Sequence, residues 1–85
     1  MKRSKKVKYY FYILKCKDGS LYSGIARNPA NREHLHNVGK GSIYVRTHGG
    51  GKIIYQEELS TQSQALKREI EVKKWPRARK LKLLK

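Results

Sequence analysis

A single cysteine, Cys16, stands among the 85 residues, which excludes an internal disulfide and any cysteine-based zinc site. The reducing cytoplasm is the expected compartment, and Cys16, set in an apolar stretch, reads as core rather than nucleophile. Acidic residues are scarce as well: six Asp and Glu stand against 21 Lys and Arg, a formal charge of +15. Solubility does not require that imbalance, whereas a polyanionic partner accounts for it, and nucleic acid is the commonest one. Long hydrophobic runs are missing too. The apolar stretch behind the basic start MKRSKKVK lasts only from Tyr9 to Leu14 before Lys15 interrupts it, too short for an export signal or a membrane span. No helical stretch joins a broad apolar face to a basic one over several turns, so a membrane surface is not the expected partner. Neither an internal repeat nor a low-complexity tract is present.

What the chain does contain reads as one small domain over residues 8–85 behind a basic tail, residues 1–7, whose charges either add phosphate contacts or are simply solvated. At this length only about 60% of the unfolded surface is buried, so one thin core is expected. From Val7 to Cys16 the residues are β-branched, aromatic or aliphatic on both alternating faces, which predicts a central strand covered on each side. The turn that follows decides the geometry. A two-residue loop of Asp18 and Gly19 would put Tyr12 and Tyr22 on opposite sheet faces. A three-residue loop, Lys17 to Gly19, pairs Leu14 with Tyr22 and Tyr12 with Gly24, bringing both tyrosines to one face with room beside Tyr12. A glycine in third place favours the second loop. Ordinary strand tyrosines are the alternative to a functional pair.

Asn28 followed by Pro29 is a helix start and Gly39 a terminator, giving a helix of about ten residues. Arg32 and His36, four apart, share a face of it. Leu35 and Val38 are expected to anchor it to the core, with Glu33 and His34 on the surface. From Gly39 to Lys52 the chain carries five glycines, together with Lys40, Tyr44, Arg46, His48 and Lys52. Backbone freedom combined with aromatic and basic side chains suits bases and phosphates, and this stretch is the candidate nucleic-acid contact loop, or else a flexible connection with incidental charge. It lacks the spacing of a phosphate-cradling P-loop.

A third strand is expected over Ile53 to Leu59, then a second helix from Ser60 or Thr61, where Thr61 and Gln64 fit a capping box. On it Ala65 and Val72 fall at one side of an apolar arc, Leu66 and Ile70 at the other, and Glu69 lands between them. A carboxylate facing the core is costly unless it pairs with an arginine or binds a cation, and both readings of Glu69 stand. Trp75 and Pro76 punctuate the chain, and ARKLKLLK makes a short third helix whose Leu81 and Leu84 can close the core. The expected fold class is α+β, a small three-stranded antiparallel sheet flanked by helices in the order β-β-α-β-α-α.

Taken in order, these residues resemble the GIY-YIG nuclease domain over roughly Lys8 to Leu84. The family's first tripeptide corresponds to Tyr10, Phe11, Tyr12 and its second to Tyr22, Ser23, Gly24. Arg32 follows Tyr22 by ten residues and His36 follows by four more, while Glu69 within ALKREIEVKKW matches the family's metal-binding glutamate. LYSG, HNVGKGS and ALKREIEVKK together are most similar to small stand-alone bacterial members. The resemblance implies a metal-dependent endonuclease that hydrolyses DNA with one divalent cation, Mg2+ or Mn2+, with RNA not excluded; a monomer is expected because no self-complementary apolar patch stands out. It implies Tyr12 as general base or relay, Tyr22 positioning water or phosphate, Arg32 on the scissile phosphate, His36 accepting or relaying a proton, and Glu69 on the metal. A tyrosine of solution pKa about 10 is a poor base at neutral pH unless positive neighbours favour its phenolate, and Arg32 and the lysines are candidates for that. Larger members carry a late asparagine and separate DNA-binding modules. Here no asparagine follows Asn37, with Tyr44, Lys73 and Lys74 as possible substitutes, and the implied activity is weak and structure-directed, in repair or recombination. The alternative function is a non-catalytic basic DNA- or RNA-binding module on the same fold.

Overall fold

Tyr9–Cys16 (β1) is the middle strand of an antiparallel sheet ordered β2-β1-β3, where β2 is Leu21–Ala26 and β3 is Gly51–Leu59. The structure is a computed structural model and describes residues 8–84; the basic tail expected over residues 1–7 lies outside them. Phe11 through Leu14 are fully buried because β1 is covered on both sides, as its unbroken apolar pattern predicts. On one face Tyr12, Leu14 and Cys16 pack with Ala26 and Val45. On the other Phe11 and Ile13 pack with Val72, joined by Leu21, Tyr55, Leu59, Trp75 and Leu83.

The hairpin has the three-residue loop. Cys16 N–H donates to Ser20 O (2.8 Å) and Gly19 N–H to Cys16 O (2.9 Å), with Gly19 at φ +91°. Leu14 therefore lies opposite Tyr22 and Tyr12 opposite Gly24, both tyrosines on one face. Ser23 faces the other way, opposite Ile13, and is buried with no hydrogen-bond partner for its hydroxyl among the described residues.

Strand β3 begins two residues before the expected Ile53 and carries an irregularity: Ile13 pairs with Tyr55 but Leu14 with Ile53, so Ile54 is skipped. In an unbroken ladder Ile53 and Tyr55 would share a face. The bulge sends Tyr55 to the Phe11 side and Ile53 to the Tyr12 side, and each packs into its own core. The start of β3 is pinned by the helix Pro29–Asn37 (α1). The Asn37 amide donates to Gly51 O (2.8 Å) and accepts from Gly51 N–H (2.9 Å), while the Glu33 carboxylate accepts Ile53 N–H (3.0 Å). Glu33, expected as a surface residue, is thus a half-buried tie between helix and strand.

The Asn28 side chain caps α1 by accepting Asn31 N–H (3.0 Å), with Pro29 in the first turn. The helix ends as Lys40 N–H donates to Leu35 O (2.8 Å) and Gly39 N–H to His36 O (3.2 Å), the paired closure of a Schellman motif. Val38, expected as an anchor, is the C-cap and is 50% exposed; His36 is the residue α1 buries. The glycine-rich stretch is not wholly a loop. Ile43–Thr47 forms a short helix, α2, capped by Ser42 Oγ on Tyr44 N–H (3.0 Å), and Val45 from it is fully buried. The order is therefore β-β-α-α-β-α-α, one helix more than expected.

Gln62–Lys73 (α3) starts at the Thr61 cap as predicted, Thr61 Oγ1 accepting Gln64 N–H (3.1 Å). Its buried stripe differs from the expected arc. Ala65 and Val72 are buried, whereas Leu66 and Ile70 are exposed. Between the two buried residues on that stripe sits Arg68, which makes two bonds to the Glu57 carboxylate (2.9 and 2.8 Å) and lies 5.2 Å from the Trp75 ring centroid. A guanidinium forked onto a strand carboxylate satisfies both charges and turns the helix toward this side. The glutamates paired with an arginine are thus Glu57 and, at 3.2 Å, Glu71, whereas Glu69 is met by Lys73. Arg77–Lys82 (α4) follows Pro76, and the core is closed by Leu83 rather than by Leu81, which is exposed. No helix among the described residues is long and apolar enough to cross a membrane.

Candidate active site

Tyr12 comes from the central strand and His36 from α1, and both are buried. The Tyr12 hydroxyl meets His36 Nε2 at 3.0 Å. Its position requires glycine opposite: a Cβ on Gly24 would stand 2.7 Å from Tyr12 Oη and 3.1 Å from the Tyr22 ring. The other imidazole nitrogen is also engaged, since Nδ1 accepts Ser42 N–H at 3.2 Å. That approach depends on Gly41, where a Cβ would run into Nδ1. Burial, then the positive charge of Arg32, lowers the His36 pKa and keeps the ring neutral. A neutral ring that accepts at Nδ1 carries its proton on Nε2, so His36 donates to Tyr12.

Tyr12 itself is held as a phenol. Burial raises its pKa most, the neighbouring Tyr22 and Glu69 raise it further, and Arg32 opposes them. Both charged residues are therefore within electrostatic reach of the hydroxyl although they come from different helices. Arg32 stands on α1 and is exposed. Glu69 stands on α3 with a side chain only 16% exposed, and Lys73 Nζ approaches its carboxylate at 3.0 Å.

Tyr22 begins an aromatic row. Its ring lies 6.3 Å from that of Tyr12 and 5.4 Å from that of His36, and Tyr44 of α2 stacks on it at 5.8 Å. His48 stacks on Tyr44 at 4.2 Å and pairs with the Asp18 carboxylate in the hairpin turn. His48 and Ser20 together hold the Asp18 pKa down to about 2. A cavity of about 420 Å³ opens in front of this assembly, lined by Tyr22, Arg32, Leu35, His36, Lys40, Gly41 and Ser42.

Of the residues singled out in the sequence, Tyr22, Arg32, His36 and Lys40 line the cavity and Tyr12 is bonded to His36; Tyr44 and His48 extend the aromatic row from Tyr22, and Glu69 acts on the Tyr12 hydroxyl electrostatically from α3. Arg46 and Lys52 are exposed on α2 and β3 and do not line the cavity. Gly41 and Ser42, the pair that orients His36, are not among the candidates of the sequence; the space Gly41 leaves just past the helix end is the one visible sign, and the Ser42 contact is a backbone N–H. Among the substitutes considered for a late asparagine, Tyr44 adjoins Tyr22 and Lys73 adjoins Glu69.

No group of three or more His, Cys, Asp or Glu side chains stands together among the described residues. Such a donor set rules out a closed structural site of the zinc type there. A single half-buried carboxylate does fit a magnesium-like cation, which keeps several waters and takes its other ligands from substrate phosphate.

The sequence profile of the GIY-YIG catalytic domain matches residues 8–82. A UPF0213 protein of Staphylococcus saprophyticus is 48% identical over 77 residues, covering 91% of this chain and 94% of the relative. One from Staphylococcus haemolyticus is 46% identical over the same coverage. The solution structure of a UPF0213 protein from Bacillus halodurans superposes with a TM-score of 0.58 at 35% identity, covering 91% of this chain and 82% of the other.

Proposed function

The chain belongs to the GIY-YIG catalytic domain family, a nuclease family that generally uses a divalent metal, and from that premise we propose that it is a metal-dependent endonuclease hydrolysing DNA. Its proposed substrates are branched, flapped or damaged sites met in repair or recombination. The observation that carries this reading is the buried Tyr12–His36 hydrogen bond set behind a cationic cavity.

Hydrolysis requires that a water lose its proton as it attacks phosphorus, and it builds negative charge on the phosphoryl and leaving oxygens. Arg32 holds those oxygens, with Lys40 adding positive charge at the cavity wall. Tyr12 acts as the base in its phenolate form, and the Nε2–H of His36 stabilises that phenolate by donating to it. His36 thus supports the base as a donor and does not take the tyrosine proton at Nε2. Tyr22 orients the water or the phosphate beside it. When bound at Glu69, a divalent cation, Mg2+ or Mn2+, supplies further positive charge for the developing anion. Glu69 offers one ligand to it, and Lys73 is the tethered cation that has to yield.

A second reading, a DNA- or RNA-binding module without chemistry, is favoured by the lone carboxylate and its lysine partner. Cleavage assays separate the two. With magnesium or manganese the purified protein is expected to cut branched DNA faster than linear duplex, and Arg32→Ala and Glu69→Ala to lose that cutting while still binding. Undiminished magnesium-dependent cutting by Glu69→Ala would overturn the enzymatic reading. The buried, unpaired Cys16 suits a reducing cytoplasm, and a monomer is the proposed state.

A further inference from the structure

Arg32 faces two hollows. Beyond the cavity that holds His36 and Lys40, a second one of about 260 Å³ opens on its other side, lined by Tyr9, Ile25, Ala26, Arg27, Arg32 and Gln62. Arg27 carries its guanidinium across the Tyr9 ring, 6.0 Å from the centroid. No carboxylate lines either hollow, and neither Arg27 nor Arg32 is ion-paired among the described residues. Both arginines are exposed and, with no carboxylate partner among the described residues, each is open to an anion. A single phosphate at Arg32 leaves Arg27 unanswered, whereas a strand that continues past Arg32 brings a second phosphate to it.

We propose that this second hollow is the subsite for the nucleotide next to the scissile phosphate. Arg27 and Gln62 bind the neighbouring phosphate, and Tyr9 flanks the sugar or base. The bound strand then runs from Lys40 past Arg32 to Arg27, wrapping the β2 edge. This rests on the nucleic-acid reading of the first cavity but not on catalysis, and Arg27, Gln62 and Tyr9 are additional to the residues already assigned.

The test is an NMR titration of isotope-labelled protein without divalent metal, comparing thymidine 3′,5′-bisphosphate with thymidine 5′-monophosphate. The bisphosphate is expected to bind about tenfold more tightly, as one added charge-assisted contact allows, and to shift the amides of residues 25–27 and 62 as well as those of residues 35–42. Arg27→Gln should remove that preference while leaving monophosphate affinity within about twofold. Arg77→Gln, the same charge change on α4, should keep it. An Arg27→Gln protein that retains the preference, or a bisphosphate that leaves residues 25–27 unshifted in the unmodified protein, would overturn the subsite. Because nothing is cleaved in this experiment, absent nuclease activity would defeat the enzymatic reading without touching this one.

Discussion

In the proposed reaction the chemistry turns on the hydroxyl of Tyr12, and its surroundings pull in two directions. Burial, Tyr22 and Glu69 favour the neutral phenol; Arg32 and the His36 N–H favour the phenolate. In the protein without substrate the first set wins, since the pKa lies above the usual tyrosine value. A base that works deprotonated and titrates high is mostly inactive at neutral pH, so kcat/KM is expected to rise about tenfold per pH unit from pH 7 to 9. Initial rates across that range check it, and a flat profile would remove Tyr12 as the base. The tyrosine pair was legible from Gly19 and parity together, because a glycine in third place favours the Lys17–Gly19 loop and that loop leaves one register. The role of Ser42 was not legible. Its contribution is a backbone N–H, and nothing in a side-chain pattern announces which amide will reach an imidazole.

Among the elements, α2 separates what the sequence conveys from what packing decides. Its five residues, Ile43 to Thr47, include three β-branched ones, which disfavour helix, and it is too short for a hydrophobic period to show. Val45 holds it by tertiary contact with Tyr12, Leu14 and Cys16 in one core. Val45→Ala is therefore expected to destabilise the fold by about 2 kcal/mol, from lost burial plus a small cavity, measured by urea denaturation. A flexible loop would show almost no loss. Helix α3 was readable as an element, with its Thr61 cap and length, but its rotation was not. Leu66 and Ile70 look like core residues until Arg68 finds Glu57, a partner eleven positions away on another element. The Ile54 bulge is similar in kind, since only the need of both sheet faces for an aromatic or aliphatic residue requires it.

For the whole molecule, the charge of +15 dominates how a partner is met. Neutralising about six phosphates on duplex DNA gives a log–log slope of affinity against salt near −5. Fluorescence anisotropy between low and physiological salt measures it, and affinity that barely changes would argue against any nucleic-acid partner. In the proposed complex, charge brings the strand to the surface, and the sheet with α1 and α3 presents Tyr12, His36, Arg32 and Glu69 to it. The most direct test of that account removes one oxygen. Tyr12→Phe keeps the buried ring beside Gly24 and takes away only the hydroxyl that His36 contacts, so the fold and DNA affinity should persist. Magnesium-dependent cleavage is expected to fall by about a hundredfold or more, the scale of a lost general base. A Tyr12→Phe protein that cuts DNA at the unmodified rate would contradict it.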